Sequence, residues 1–437
     1  MKSVNKVGDE GAQDSRTVWG MRMAASIAAA AGALCLCLGM PMVGYAGLAL
    51  VSVIVFHISL RPSARELLLI SVPSLIFWAT YVVLFKIDWL HRPPAIMFLL
   101  GTMGAGSLTV LSVRAVWSQG ENRTKVLRVL FPAAGMLVFL IVKNNLINVM
   151  AFQRSTFDLH LFLADGSFGF HPAMSLWKYT FTHPVVHVVI QAIYALLPVG
   201  MAFVYAPHLR KFDSKYFMLQ TYFLAGFLGW LSYSIVPAAG PLFMFGGNFG
   251  VALPTYSHLK MVAVQRVELP PIMFRNAVPS LHLTWALLGW LNARKLGKPY
   301  HYLAILFTFG TVLATMGTGQ HYMVDLIVAV PFTLFIQALC TKKIPNSSTR
   351  GAAITGGALL ALAWMLMLRF NPTLFLANLA LPWICTAATF TAVAVLFLRM
   401  EKATAGTFWP EEGLSGGKDE EVNQPAETAR VISSATA

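Results

Sequence analysis

Two stretches decide the fold, Pro279-Ser280-Leu281-His282 and His321-Tyr322-Met323-Val324-Asp325. Each stands at the head of an apolar run, where ionisable side chains are expensive to place and usually mark function. His321 and Asp325 are four residues apart, so a helix would place them on one face and let the carboxylate orient the imidazole. His282 supplies a second imidazole, which can act as a proton donor. The combination predicts phosphoester chemistry through a histidine.

The composition places the chain in a membrane. Of its 437 residues, 57% are hydrophobic and only 11% are charged, and the mean hydropathy is +0.65. Soluble proteins carry about 25% charged residues, so a soluble globular fold is excluded. The four cysteines lie within apolar runs and show neither disulfide nor metal-ligand spacing. The net charge of +14 comes from basic residues dispersed over short loops, which indicates membrane orientation and no nucleic-acid partner.

Apolar runs of about 17–25 residues predict an all-α, polytopic transmembrane bundle of about twelve spans. The predicted spans lie near residues 23–40, 43–60, 66–85, 94–116, 126–142, 185–205, 217–236, 280–293, 302–317, 322–340, 351–368 and 379–398. Basic residues favour alternate loops, which predicts cytoplasmic N- and C-termini. The first apolar run is too long for a cleavable signal peptide. Both histidine motifs then begin spans at the outer surface, beside two long outer loops, 143–183 and 237–279.

Each motif has an ordinary alternative. Pro279 and Ser280 are typical of a helix start, which would put His282 in a first turn whose N–H groups favour an anion. Arg275 would add a bidentate phosphate clamp. The alternative is that His282 is only an interfacial anchor behind a cap. For His321 and Asp325 the alternative is a structural ion pair between neighbouring spans.

Together the motifs resemble the type-2 phosphatidic acid phosphatase superfamily, specifically the branch containing inositol phosphorylceramide synthase. The matching stretches are 236–241, 275–282 and 320–325, and the resemblance covers residues 126–340. It implies a six-helix core in which His321 attacks phosphorus to form a phosphohistidine. Asp325 would orient His321, and His282 would protonate the leaving group. No metal or other cofactor is expected, and the implied partners are a membrane lipid phosphoester and a lipid or alcohol acceptor.

The chain departs from the phosphatase branch at its phosphate clamps. Ala314 and Thr315 stand where that branch carries Ser-Arg, and no Lys-x6-Arg-Pro motif occurs near Pro237. The resemblance to the synthase-like branch implies that these basic phosphate-binding residues are absent. The residues predicted to bind substrate instead are Arg275, Asn276, Ser280, Lys143, Asp158 and Asp165. The two aspartates lie in an acidic segment that loosely resembles one of that branch, with a solvated interfacial loop as the alternative.

The resemblance divides the chain into five segments. They are a cytoplasmic tail (1–22), accessory transmembrane helices (23–122), a phosphatidic acid phosphatase-like core (123–341), C-terminal transmembrane helices (342–400) and a disordered acidic tail (401–437). We expect a lipid phosphotransferase at the outer face of a membrane, and compact loops fit a bacterial plasma membrane. Hydrolysis of phosphatidate or polyprenyl diphosphate is the main alternative. A transporter is disfavoured because the sequence shows no internal repeat. An inactive scaffold is disfavoured because His282, His321 and Asp325 are all present.

Overall fold

The computed structural model describes residues 6–39, 45–84, 93–150, 155–211, 217–246, 266–269, 274–341 and 348–404, and it is almost entirely helical. The first helices are α1 (Lys6–Gly39), α2 (Tyr45–Ser59), α3 (Ala64–Leu84), α4 (Pro93–Trp117) and α5 (Gly120–Met150). Strand β1 (Ser155–Thr156) leads to α6 (Asp158–Gly166), α7 (Pro172–Thr182), α8 (Pro184–Ala195), α9 (Leu197–Lys211), α10 (Phe217–Ser232) and α11 (Pro241–Phe245). Strand β2 (Val267–Glu268) precedes α12 (Leu281–Ala293), α13 (Lys298–Gly317), α14 (Met323–Cys340), α15 (Ser348–Phe370), a 3-10 turn (Pro372–Ala377) and α16 (Ala380–Thr404).

The helices of the structure support the predicted membrane-spanning character of the chain. Within the described ranges six helices are long and apolar enough to cross a membrane, namely α3, α4, α13, α14, α15 and α16. The pair α8–α9 makes a seventh if it is one span, bent by 51°. Pro198 accounts for the bend, because proline lacks the N–H that would continue the helix and clashes with the preceding turn.

The predicted count of about twelve spans and the six-helix core are not confirmed. Each predicted span coincides with a helix, but several of these helices are short. Helices α10 and α12 have 16 and 13 residues. At 1.5 Å per residue α12 is about 20 Å long, less than the roughly 30 Å of a bilayer's hydrocarbon core. An apolar run therefore predicts a helix correctly, but it does not determine whether that helix crosses the membrane.

Segments expected to be irregular contain regular structure. The range 143–183, predicted as an outer loop, holds the end of α5, strand β1 and helices α6 and α7. Strand β1 pairs with β2 in the antiparallel direction, with Ser155 opposite Glu268 and Thr156 opposite Val267, so the two predicted outer loops are joined. Helix α1 begins at Lys6, within the predicted N-terminal tail. Helix α16 continues to Thr404, and the rest of the predicted acidic tail lies outside the described residues.

Helix α14 lies at the centre of the core. It contacts α6, α10, α12, α15 and α16, and most of its side chains are buried, as its nearly continuous apolar sequence requires. Its most extensive contact is with α15, which approaches through Gly357. A Cβ atom at Gly357 would lie 2.7 Å from the backbone nitrogen of Phe335 and 2.9 Å from the carbonyl oxygen of Pro331. Only glycine allows this spacing between the two helices.

The two histidine motifs lie at the same end of the core. Helix α12 carries His282 in its first turn, and α14 starts two residues after His321. Helix α13 connects them and packs on α12, while α12 also packs on α14. A direct backbone hydrogen bond, from Ser280 N to Asp325 O at 3.2 Å, joins the starts of α12 and α14.

Candidate active site

The hydrogen bonds of His321 fix which ring nitrogen carries its proton. Its Nδ1 lies 3.0 Å from the carbonyl oxygen of Ala277 and 3.3 Å from Oδ2 of Asp325. A carbonyl oxygen only accepts hydrogen bonds, so Nδ1 must be the donor in the neutral ring. The lone pair is therefore on Nε2. This is the tautomer needed for nucleophilic attack through Nε2.

Asp325 is held in place within the first turn of α14. Its Oδ2 accepts the backbone N–H of Tyr322 at 2.8 Å, which completes a capping box at the start of α14. The side chain is fully buried, and the same Oδ2 lies 3.3 Å from Nδ1 of His321. The expected contact between the two side chains is present, but His321 lies two residues before α14, so the predicted shared helical face is wrong and the non-helical backbone of His321 and Tyr322 brings the imidazole back to the carboxylate.

His282 faces His321 from the neighbouring helix. The two ring centroids are 6.0 Å apart and the rings are inclined at 63°. Tyr194, from α8, stacks on the other side of His282 with ring centroids 4.0 Å apart. This aromatic contact sets the plane of the imidazole. Tyr194 was not predictable as a site residue, because in the sequence it is only an aromatic residue within an apolar run.

Ser280 caps α12 as its sequence context predicts. Its Oγ accepts the backbone N–H of Leu283 at 3.5 Å, and the residue is fully buried. The N–H groups of Leu281 and His282 precede that bond and have no acceptor within the helix. The start of α12 therefore points donors and a positive dipole end towards the region beside His282.

Asp158 organises the segment at the position of the first motif. Its carboxylate is fully buried and accepts the backbone N–H groups of Ala239 at 3.0 Å and Gly240 at 2.8 Å, and the hydroxyl of Tyr322 at 3.2 Å. Burial raises the pKa of Asp158, and these hydrogen bonds oppose the rise. Gly240 has a positive φ of 95°, and a Cβ there would collide with the carbonyl oxygen of Gln320, directly before His321. Through these contacts Asp158 helps to fix the position of residues 320–325, the segment that contains His321.

Asp165, near the other end of α6, is hydrogen-bonded to the same segment. Its Oδ2 and Oδ1 accept the backbone N–H groups of Met323 and Val324, each at 3.0 Å. Burial raises the pKa of Asp165 to about 7, with a smaller contribution from the charge of Asp325. Both aspartates lie on a helix whose every residue is buried, so the alternative of a solvated loop is wrong. Substrate binding by either side chain stays a prediction.

The other predicted substrate-binding residues are less closely tied to the histidines. Arg275 is fully buried and its Nη2 donates to the carbonyl oxygen of Leu269 at 2.8 Å. Burial lowers the pKa of Arg275, and the charge of Asp158 opposes this shift. Asn276 is half-buried in the same segment. Lys143 belongs to α5 rather than to a loop, and its side chain lies outside the described residues.

An arginine from the C-terminal helices also reaches this end of the core. Arg369 of α15 donates from Nη1 to the carbonyl oxygen of Ile235 at 2.5 Å and lies 5.3 Å from the ring centroid of Phe157. Arg266 lies 5.1 Å from the same ring. Nothing in the sequence motifs indicated Arg369, because it is distant in sequence from all of them. Within the described ranges no three His, Cys, Asp or Glu side chains gather to hold a metal.

Residues 159–339 match the family model of the PAP2 superfamily. The matched segment contains His282, His321 and Asp325, and it supports the superfamily assignment made from the motifs. Members of this superfamily are generally phosphatases or phosphotransferases, which supports a lipid phosphatase or phosphotransferase type of activity. Neither the curated proteins nor the solved structures that were compared with the chain gave a match.

Proposed function

We propose that the protein is a membrane phosphotransferase that moves the phospho-headgroup of one lipid to a lipid or alcohol acceptor, as inositol phosphorylceramide synthase does. The observation that carries this proposal is the pair of acceptors at Nδ1 of His321, which leaves the Nε2 lone pair as the nucleophile. The facing imidazole of His282 supports the assignment of a separate acid and base.

In the first half-reaction, Nε2 of His321 attacks the phosphorus of the donor lipid. A P–N bond forms, and the bond from phosphorus to the leaving alkoxide oxygen breaks. His282, in its protonated form, gives its proton to that oxygen, so the first product leaves as an alcohol. The ring of His321 becomes positively charged, and the carboxylate of Asp325 stabilises that charge.

In the second half-reaction, the hydroxyl group of the acceptor replaces the alcohol that left. The now neutral His282 takes the proton of this hydroxyl while its oxygen attacks phosphorus. The P–N bond breaks and its electron pair returns to Nε2 of His321. The net change is the exchange of one alcohol for another at phosphorus, and both histidines recover their starting protonation.

The negative charge on the phosphoryl oxygens needs compensation in both steps. The first-turn N–H groups of α12 supply donors beside His282. The N-terminus of α14 is less suitable, since Asp165 already accepts two of its N–H groups. Arg275 and Asn276 remain the proposed side chains for this role, together with Ser280 as the cap that fixes the start of α12.

Burial supports transfer over hydrolysis. Only 7% of His282 and 4% of His321 is exposed, and Asp325 is fully buried. A site of this kind limits the access of bulk water to the phosphohistidine, whereas a lipid acceptor can enter from the membrane. We place the site at the outer, periplasmic or lumenal face, with both termini in the cytoplasm, because the basic residues favour the opposite loops.

The test incubates the purified full-length protein with phosphatidylinositol labelled at its headgroup phosphate, with and without ceramide or a diacylglycerol whose acyl chains differ from those of the donor. Wild-type protein is compared with His321→Ala. The proposal predicts label in a new lipid that requires both the acceptor and His321. Label in water-soluble inositol phosphate, dependent on His321, would instead establish hydrolysis. Turnover that His321→Ala leaves unchanged would contradict the assigned nucleophile.

A further inference from the structure

We propose that an apolar groove between α9, α12 and α13 holds a hydrocarbon tail of the lipid whose headgroup reacts at His321. This inference rests on the proposed function and names the substrate class more closely, as a long-chain lipid phosphoester. The groove has a volume of about 320 Å³, and no charged side chain lines it among the described residues. We call it the tail groove.

The helical spacing of α12 connects the tail groove to the catalytic residues. Counting from His282, the groove-lining residues Trp285, Ala286, Gly289 and Trp290 follow at intervals of three, four, seven and eight. These intervals lie on one face of a helix. His282 therefore stands at the outer end of the same face that lines the groove.

The opposite wall also begins at the site. Tyr194 stacks on His282, and the chain bends directly after it, where α9 starts with the groove-lining Leu197. Gly200, further along α9, contributes no side chain to the wall. A Cβ there would lie 3.0 Å from the ring of Phe307 on α13, so the glycine keeps the walls of the groove close but unfilled.

The length of the groove fits a tail in one leaflet. From His282 to Trp290 the rise along α12 is about 12 Å, taking 1.5 Å per residue. One leaflet contributes about 15 Å of hydrocarbon. A lipid with its phosphate between the histidines would thus lay most of a tail along α12, with its end near Trp290. A free, water-soluble phosphoester would leave the groove empty.

A second apolar cavity, of about 290 Å³ between α5 and α10, serves as the comparison site. The indole of Trp285 stands between it and the tail groove. That indole packs on Phe139 with ring centroids 5.9 Å apart, and its Nε1 donates to the carbonyl oxygen of Tyr222 at 3.0 Å. The comparison cavity lacks the shared helix face that ties the tail groove to His282.

The experiment uses full-length protein in lipid nanodiscs with a phosphatidate that carries a photoreactive diazirine on a long acyl chain. Labelled residues are mapped by mass spectrometry. Gly289→Phe fills the tail groove, and Gly289→Ala is its control, since a Cβ at Gly289 has no neighbour nearer than 3.8 Å. Val138→Phe fills the comparison cavity. Each buried methylene contributes about fourfold in affinity, so excluding about two of them predicts roughly fifteenfold less groove labelling in Gly289→Phe.

The inference predicts that label concentrates on α9, α12 and α13 in wild-type protein, Gly289→Ala and Val138→Phe. Excess unlabelled long-chain phosphatidate should displace the label, and a short-chain phosphatidate should not. Label spread evenly over membrane-facing helices such as α3 would overturn the inference, and the wild-type map decides this even if Gly289→Phe fails to fold. An equal loss of groove label in Val138→Phe and Gly289→Phe would also overturn it.

Turnover of the same phosphatidate, with His321→Ala as the blank, separates the two proposals. Groove labelling without turnover that depends on His321, for this and other lipid phosphoesters, would contradict the proposed function and leave the tail groove standing. Turnover that depends on His321 without groove labelling would support phosphoester chemistry and overturn the tail groove.

Discussion

Replacing Asp325 by asparagine separates the two partners of His321. The Ala277 carbonyl oxygen is the nearer acceptor of Nδ1, at 3.0 Å against 3.3 Å for Asp325. In Asp325→Asn that carbonyl still fixes the proton on Nδ1, so the lone pair stays on Nε2. What the substitution removes is the negative charge beside a ring that becomes positive when phosphorus is attacked.

The size of the loss follows from the distance. Two unit charges 3.3 Å apart interact by about 5 kcal/mol at an effective dielectric constant of about 20. If about half of the imidazole charge has developed in the transition state, the loss is about 2.5 kcal/mol. That corresponds to a decrease in kcat on the order of a hundredfold.

The assay is single-turnover loss of a labelled donor lipid by wild-type protein, Asp325→Asn and His321→Ala. We expect Asp325→Asn to retain measurable activity well above His321→Ala. A loss of less than about tenfold would refute charge stabilisation by Asp325. Activity as low as that of His321→Ala would refute the claim that the Ala277 carbonyl oxygen holds the tautomer.

Three further predictions concern the segment around His321. Burial raises the pKa of Asp165 to about 7, above the ordinary value of a carboxyl group in an unfolded chain. The folded state therefore favours the protonated carboxyl group. Its contribution to the free energy of unfolding is fully present below about pH 4 and is lost as the pH rises through about 7. Asp165→Asn should therefore flatten the fall in thermal stability over that range, and an unchanged pH profile would contradict this. Tyr322→Phe loses a hydrogen bond to a buried carboxylate and should lower the free energy of unfolding by about 1.5–3 kcal/mol, measured by denaturant titration, whereas no change would show that this bond is weak. Gly240→Ala should cost far more activity than Gly246→Ala, because both have positive φ but only Gly240 faces Gln320 closely; equal losses would assign the effect to backbone strain alone.

The sequence predicted the elements that depend on local patterns. Apolar runs located the helices, because helical periodicity is a local property. Ser280 was identified as a cap for the same reason. The four-residue spacing of His321 and Asp325 predicted that their side chains meet, although His321 lies before α14 and not on its face. The bend between α8 and α9 also had a local signal in Pro198, but a continuous apolar run concealed it.

The supports of the site depend on contacts between distant parts of the chain, which local patterns do not encode. Asp165 accepts hydrogen bonds from the backbone of Met323 and Val324, which are separated from it by 158 and 159 positions in the sequence. Asp158 accepts hydrogen bonds from two backbone N–H groups at separations of 81 and 82 positions. The acidic, glycine-containing segment suggested either headgroup binding or a solvated loop, and tertiary packing that buries the segment overturns the loop alternative. The Ala277 carbonyl oxygen was also unpredictable, since a backbone acceptor has no residue-type signature.

Capture of the covalent intermediate tests directly whether His321 is the nucleophile. Wild-type protein and His321→Ala are mixed with phosphate-labelled phosphatidylinositol, quenched within one turnover in alkali, and digested for peptide mapping. We expect acid-labile label on Nε2 of His321 in wild-type protein and none in His321→Ala. Turnover without label on His321, or label that persists in His321→Ala, would contradict this assignment.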